Sequence, residues 1–245
     1  MYSGFYTAAS GMLMNRRSLD VSANNMANQN TPGFRAKRVV GTAFETQLQR
    51  VQGQQKTEIG TGSPISVVSE VMTNFDETNI KETGRPFDIA IEGEGFFTIQ
   101  GENGQYLTRN GNFDMDEEGY LVLPGAGRVL GDRGPVQVRN SEFVIGKTGN
   151  IYDSYGNLLD QLQIVQPEGE ANLTPLENGL YAGGQTQMVR VYPDTVQGFT
   201  EVSNVDLNDE MTHMMEIQRA FQSCSKALTI IDQMNQKTAS EIGKL

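Results

Sequence analysis

The chain has 245 residues, which is enough for one large domain or two smaller ones with a sizeable core. Charged residues make up 20% and hydrophobic residues 37%, which excludes a wholly disordered chain, and the 27 glycines indicate many turns. The formal net charge of -11 disfavours nucleic acid as a partner, because phosphate binding requires a surplus of Lys and Arg.

A helix is predicted over residues 3–27, where large apolar side chains recur every seven residues. The residues of this row are Phe5, Met12, Leu19 and Met26. A spacing of seven places side chains on one side of a helix and is typical of packing against another helix. The start of the chain lacks a basic stretch followed by an apolar run, so no secretory signal is expected.

The stretch ANNMANQNTPGF at residues 23–34 is predicted to end this helix. Asparagine tolerates left-handed backbone geometry, and a Pro-Gly pair cannot continue a helix. Asparagine side chains also bind nearby backbone, so we interpret the segment as a joint of fixed geometry; an ordinary asparagine-rich loop is the alternative. The joint residues are Asn24, Asn25, Asn28, Asn30, Pro32, Gly33 and Phe34.

The middle of the chain shows no helical period. Residues 42–66 are polar and rich in Gln and Gly, and are predicted to form a flexible or extended arm. From about residue 60 to residue 200, short alternating runs such as Tyr120–Val122 are separated by turn-forming pairs such as Asn110-Gly111. This pattern predicts an antiparallel β domain with tight hairpins, and no internal repeat is detected.

A second, longer helix is predicted over residues 204–242. Its apolar row consists of Leu207, Met214, Phe221 and Leu228, with a companion row that includes Ile217 and Ile231. Ser203 and Asp206 predict a capping box, and the acids Asp209 and Glu210 suit the positive end of a helix. Because both helices carry apolar rows, we expect the helices to pack on each other and the rows to be buried between neighbouring subunits, as the assembly seam.

These elements predict an α+β fold, with N- and C-terminal helices paired in a coiled-coil-like stalk and a central antiparallel β-rich domain. The predicted domains are a helical one of residues 1–30 and 204–245, a joint and arm of residues 31–75, and a β-rich outer domain of residues 76–203.

Several short motifs resemble binding sites only superficially. The segment IGKTG at 145–149 lacks the spacing of a phosphate loop, and DMDEEG at 114–119 lacks the closing glutamate of a calcium loop, so both are predicted to be hairpin turns. EGEGF at 92–96 is predicted to be a strand kink or bulge. His213 and Cys224 have no partners at catalytic or metal-ligand spacing. The sequence therefore predicts no enzyme, no cofactor, no metal site and no small-molecule substrate.

Several stretches resemble the bacterial flagellar rod and hook family of axial proteins. The similar segments are SGFYTAASGM, LDVSANNMANQNTPGFRAKR, DIAIEGEGFFTIQ, YLTRNGNFDMDEEGYLV and SNVDLNDEMTHMMEIQRAFQSCSKALTIIDQM. The length and the blocks GEGFF and TRNGNF look most like the basal-body rod proteins, because hook proteins usually carry an inserted outer domain.

The resemblance implies a structural subunit that self-assembles helically into a tubular axis, which transmits torque and conducts exported subunits. Its implied partners are copies of itself, other flagellar rod and hook proteins, and the flagellar type III export apparatus. The implied location is the basal body, outside the cytoplasm, after export without a signal peptide; proximal and distal rod positions both stay open. The alternative from another class is a secreted β-rich adhesive or cell-wall-binding module with coiled-coil ends.

Overall fold

The computed structural model describes residues 2–43, 66–75, 78–101, 104–140, 142–168, 173–176, 179–183 and 187–242. The chain divides into two compact units. A helical unit comprises Met1–Ala27, Lys37–Asn74 and Asp206–Leu245, and a β unit comprises Asn28–Ala36 and Phe75–Val205. The predicted α+β class is confirmed. Most of the predicted arm, residues 44–65, lies outside the described residues.

Two long helices form the core of the helical unit. Helix α1 spans Tyr2–Ala27 and helix α2 spans Leu207–Ile242, close to the predicted bounds. The helices are antiparallel, since Gly4 of α1 lies beside Ile231 and Gly11 lies beside Cys224. The expectation that the two ends of the chain pack on each other is therefore confirmed.

The start of α2 differs from the predicted capping box. Asp206, rather than Ser203, is the N-cap, because its Oδ1 accepts hydrogen bonds from the backbone N–H groups of Asn208 at 2.8 Å and Asp209 at 3.3 Å. The hydroxyl of Ser203 instead accepts from the N–H of Val205 at 3.3 Å. The helix consequently begins at Leu207, three residues later than predicted.

A pair of strands completes the helical unit. Strand β1 spans Lys37–Ala43 and strand β2 spans Ser66–Thr73; they pair antiparallel, with Lys37 opposite Thr73 and a bulge between Val40 and Gly41. Both strands contact α1. The joint-and-arm prediction missed this pair, although its β-branched residues are typical of strands.

The β unit consists of short antiparallel strands and no described α-helix. Its strands are β3 (Ile80–Glu82), β4 (Ile89–Glu92), β5 (Phe96–Gly101), β6 (Gly104–Thr108), β7 (Asp114–Met115), β8 (Leu121–Leu123), β9 (Gly127–Gly131), β10 (Gly134–Pro135), β11 (Val144–Ile145), β12 (Asn150–Tyr152), β13 (Leu158–Gln161), β14 (Ile164–Pro167), β15 (Thr174–Pro175), β16 (Leu180–Ala182), β17 (Met188–Arg190), β18 (Asp194–Gln197) and β19 (Phe199–Glu201).

Strand β5 is central to the largest sheet. The main path of that sheet is β15-β16-β6-β5-β9-β8-β7, with β14 joining β5 to β17 and β10 joining β9. Smaller sheets are β11-β12-β13, β18-β4 and β19-β3. Both faces of β5 are covered, because Phe97 and Ile99 belong to the main core while Phe96 packs in a second cluster with Leu107 and Tyr181.

Three connections in the β unit repeat one turn. In each turn, the N–H of the first residue donates to the carbonyl of the fifth residue. The fourth residue is a glycine, and its N–H donates to the carbonyl of the first residue. These turns begin at Asp116, Gly146 and Asp153, and their glycines Gly119, Gly149 and Gly156 all have positive φ. The hairpin turns predicted at 114–119 and 145–149 are confirmed. The repeated turn was missed as a sequence repeat because only the glycine is shared by all three.

Candidate functional site

The side of α1 that faces α2 carries small and polar residues. A Cβ atom added at Gly4 would lie 3.8 Å from Cδ1 of Ile231, and one added at Gly11 would lie 3.4 Å from Sγ of Cys224. The side-chain amide of Asn15 lies 3.9 Å from the same sulfur. Since side-chain size sets the distance between helix axes, these residues permit the close approach of α1 and α2.

A buried carboxylate lies between the two helices and β1. Glu210, in the first turn of α2, is 2% exposed. The hydroxyl of Ser22 donates a hydrogen bond to its Oε2, and the amide of Asn25 donates to its Oε1 at 2.9 Å. Nη2 of Arg38 lies 3.4 Å from Oε1. The expectation that Glu210 acts through the helix end is thus incomplete, because its side chain is bound by three specific residues.

Asn25 connects this carboxylate to the start of β1. Its amide nitrogen donates both to Glu210 and to the backbone carbonyl of Lys37, the latter at 2.8 Å. Its Oδ1 accepts from the N–H of Lys37 at 3.0 Å. Both hydrogens of the amide and its oxygen are therefore used, which fixes the orientation of the side chain. Burial lowers the pKa of Lys37.

The predicted apolar rows are divided between partly buried and exposed positions. Ile217 is buried, while Phe5 and Leu207 are exposed. The other predicted row residues are partly buried: Met12, Leu19, Met26, Met214, Phe221, Leu228 and Ile231. The companion row of α2, rather than the row that begins at Leu207, is the one beside Gly4 and Gly11. Burial of the remaining rows by other subunits stays a prediction.

The predicted joint residues are distributed over both units. In the helical unit Asn25 is buried and Asn24 is exposed. In the β unit, Asn28 accepts two hydrogen bonds from Thr31, one to its backbone carbonyl at 3.1 Å and one to its Oδ1 at 3.2 Å. Asn30 is exposed, and the side chain of Asn25 binds the backbone of Lys37 in the predicted way.

The remaining joint residues continue into a tightly packed stretch of the β unit. Pro32 is partly buried, whereas Gly33 and Phe34 are buried. The N–H of Gly33 donates to the carbonyl of Glu201 at 2.9 Å, and the N–H of Asn204 donates to the carbonyl of Phe34 at 3.4 Å. This stretch is therefore held along the backbone that follows β19.

A second buried carboxylate, Glu201, organises this part of the β unit. Its Oε1 lies 2.5 Å from Nη2 of Arg35 and accepts a hydrogen bond from the hydroxyl of Thr78 at 2.7 Å. Nη1 of Arg109 lies 3.6 Å from its Oε2. Removing one partner of such a buried ionic cluster is costly, because the remaining charge loses its compensation. The ring of Tyr181 lies in the same region, and burial raises the pKa of its hydroxyl to about 12.

Glu210 and Glu201 were not predicted as site residues. Glu210 has a recognisable signal, because it lies seven residues before Ile217 on a row that continues with Cys224 and Ile231. A charge on an otherwise apolar row indicates a buried polar contact. Glu201 has no such signal, since its partners come from distant parts of the sequence.

The described part of the chain carries neither a metal-ligand cluster nor a membrane-spanning helix. No group of three potential metal ligands occurs among these residues. Neither of the described helices is long and apolar enough to cross a membrane. The notable features are thus two buried carboxylates and the apolar surface of the helices.

Three family models match successive parts of the chain. A model of the flagella basal body rod protein matches residues 5–35, a model of the flagellar hook protein FlgE/F/G D1 domain matches residues 90–180, and a model of the flagellar basal body rod FlgEFG protein C-terminal matches residues 196–241. The matched regions include nearly all of α1 and α2 and most of the large sheet.

Whole-length relatives bear related names. The flagellar basal-body rod protein FlgG of Bacillus subtilis is 33% identical, over 97% of this chain and 98% of the relative. FlgF of Mesorhizobium japonicum is 34% identical over 91% of this chain and 90% of the relative. FlgF of Caulobacter vibrioides is 29% identical over the full length of both chains.

Proposed function

This chain belongs to the family of flagellar basal-body rod proteins, and from that membership we propose that copies of it assemble through the apolar surface of their terminal helices. It is a structural subunit of the flagellar basal-body rod, located outside the cytoplasm after export, and it is not an enzyme. The relatives give no support to the alternative of an adhesive or cell-wall-binding module.

The single observation that carries the assembly proposal is the apolar surface left exposed on both helices. On α1 the exposed large apolar residues are Phe5, Tyr6 and Leu13. On α2 they are Leu207, Met211, Met215, Ile230 and Met234. Large exposed apolar surface on a soluble chain is typical of protein interfaces. Burying each such side chain fully is worth roughly 1.5–3 kcal/mol before ordering costs.

The composition of the α1–α2 interface supports the same proposal. Gly4, Gly11 and Ser22 on α1 lie beside α2. The large apolar residues that stay exposed on the two helices, such as Leu13 and Ile230, are available for contacts with neighbouring subunits. Methionine, which adapts to irregular gaps, suits contacts that repeat in slightly different surroundings.

Charge introduced into the exposed apolar surface tests this proposal. Met215→Asp or Ile230→Asp should abolish assembly, because both side chains are exposed in the single chain and a carboxylate in a buried apolar contact loses its hydration. Sedimentation of purified chains measures assembly, and the near-ultraviolet circular dichroism of the tyrosines reports whether the β unit is folded. The matched control is Gln222→Asp, at an exposed position of the same helix. Normal assembly of Ile230→Asp would reject the proposed interface.

We propose two kinds of partner, which are neighbouring axial subunits and the export apparatus. Members of this family assemble into the basal-body axis with other flagellar proteins, and we extend this to contacts with neighbouring rod and hook subunits above and below. We also propose the flagellar type III export apparatus as a partner before assembly. Secretion of the chain into the medium by an assembly-blocked strain, and its loss when the export apparatus is inactivated, would test this partner.

A further inference from the structure

The apolar and small residues of the α1–α2 interface do not by themselves define one alignment of the helices. On α1 the row Gly4, Gly11 and Ser18 repeats every seven residues. On α2 the row Ile217, Cys224 and Ile231 repeats with the same spacing. A slide of α2 by seven residues would again place small residues beside apolar ones. Regular heptad rows allow such slips unless a polar residue opposes them.

Glu210 is the member of this arrangement that does not repeat. It occupies the next position of the α2 row, where it meets Ser22 and Asn25 of α1 and Arg38 of β1. A slide by seven in one direction would place Glu210 at the level of Ser18, and a slide in the other would place it beyond the end of α1. In both cases the carboxylate would lose the hydrogen bonds from Ser22 and Asn25.

We propose that Glu210 is a positioning residue that sets the alignment of α2 along α1. Its donors are themselves fixed, because Asn25 is bound on its other side to both backbone groups of Lys37. The alignment of the two helices is consequently tied to the start of the β1–β2 pair. Polar residues on otherwise apolar heptad rows specify alignment in this manner, at some cost in stability.

This inference needs only the single chain, and its consequence for assembly rests on the proposed function. A subunit whose helices have slipped by seven residues would present its exposed rows displaced by about 10 Å along the helix axis. Such a subunit would not match its neighbours.

The native thiol allows a direct test. Cys224 is the only cysteine of the chain, and a Cβ atom at Gly11 would lie 3.4 Å from its sulfur. Gly11→Cys therefore reports the native alignment by forming a disulfide with Cys224. Gly4→Cys and Ser18→Cys report slips of seven residues in the two directions. The three probes are compared in the full-length chain, at a concentration where the protein does not sediment, so that intrachain disulfides are scored independently of assembly.

In the parent chain, Gly11→Cys should form its disulfide about tenfold faster than either other probe. In the Glu210→Leu background, Gly4→Cys or Ser18→Cys should rise to within about threefold of Gly11→Cys. Glu216→Leu, which removes an exposed acid of the same helix, is the control and should keep the parent pattern. An unchanged preference for Gly11→Cys in Glu210→Leu would overturn the proposal, as would the lack of this preference in the parent chain.

Glu210→Gln separates alignment from simple pairing strength. The amide keeps the size of the side chain and one acceptor for Asn25, so it should largely retain the preference for Gly11→Cys. If all three disulfide rates fall together in both Glu210 variants, Glu210 only strengthens pairing, and the positioning role is rejected. If the parent chain shows the expected disulfide pattern but never sediments as an assembly, the proposed function is rejected and the positioning role of Glu210 is not.

Discussion

At the scale of single residues, Gly33 shows why the Pro-Gly pair of the joint requires glycine. Its φ is 68°, and an added Cβ would lie 2.4 Å from the carbonyl carbon of Arg109 and 2.5 Å from the nitrogen of Asn110. Both the backbone conformation and the lack of space therefore exclude a side chain. In this position the N–H of Gly33 also donates to the carbonyl of Glu201, which holds the start of the β unit.

Gly33→Ala should destabilise the protein by roughly 2–5 kcal/mol, because strain and backbone overlap add. Gly84→Ala is the matched control, since Gly84 has the same φ of 68° and no atom within 4 Å of an added Cβ. It should cost only about 1 kcal/mol. Urea unfolding followed by tyrosine fluorescence measures both. Equal losses for the two variants would contradict the steric explanation.

Tyr181 makes the stability of the β unit sensitive to alkaline pH. Burial raises the pKa of its hydroxyl from 10.0 in the unfolded chain to about 12 in the folded one. The ring of Tyr181 packs against the rings of Phe75 and Phe96. Between these values the unfolded state loses the proton first, so the free energy of unfolding falls as pH rises from 10 to 12. The total loss is roughly 2–3 kcal/mol.

Tyr181→Phe should therefore lack this part of the alkaline loss of stability. The measurement is the free energy of urea unfolding at several pH values, with the difference between the two proteins isolating Tyr181 from other titrating groups. A difference between the proteins that stays constant up to pH 12 would show that the hydroxyl titrates normally in the folded state.

At the scale of elements, the helices were predicted well because their signals are local and repeated. The seven-residue row predicted the start of α1 to within one residue, and the Asn-Thr-Pro-Gly segment predicted its end. The start of α2 was less accurate, since Ser203 and Asp206 are both good caps and only the observed hydrogen bonds distinguish them. The contact of Gly4 and Gly11 with the companion row of α2 was not predicted, because small residues give no apolar signal.

The strands of the β unit were predicted in type, and their pairing was not. Alternation and Gly-containing turns are local signals, whereas the joining of β14 to β5 depends on residues far apart in sequence. The same reason explains the missed clusters. Arg35, Arg109 and Glu201 come together only through the fold, and nothing in their neighbours distinguishes them from ordinary surface charges.

At the scale of the whole molecule, the net charge is carried entirely by one unit. Of the 19 basic and 30 acidic residues, the helical unit contains 10 and 10, and the β unit contains 9 and 20. The helical unit is therefore neutral, and the β unit accounts for the whole charge of -11. Copies that associate through neutral helical units bring strongly negative β units near one another, which opposes association through repulsion.

Assembly should consequently strengthen when NaCl is raised from about 50 to about 300 mM, because salt screens exposed charges beyond a distance of roughly 10 Å. The fraction of protein that sediments at each salt concentration measures this effect. A variant that combines Glu117→Gln, Glu142→Gln and Glu168→Gln, all at exposed positions of the β unit, should need less salt. Identical salt curves for the parent and the triple variant would contradict a role of this charge.

Because Cys224 lies beside Gly11, the reactivity of its thiol depends on how often the two helices separate. The only thiol of the chain is partly buried in the contact between two helices, so their separation should expose the sulfur further and speed its alkylation. Its rate of alkylation therefore increases with the frequency at which the helix pair opens. The thiol of Cys224 can thus be used in the unaltered protein to measure whether assembly changes the frequency of helix opening.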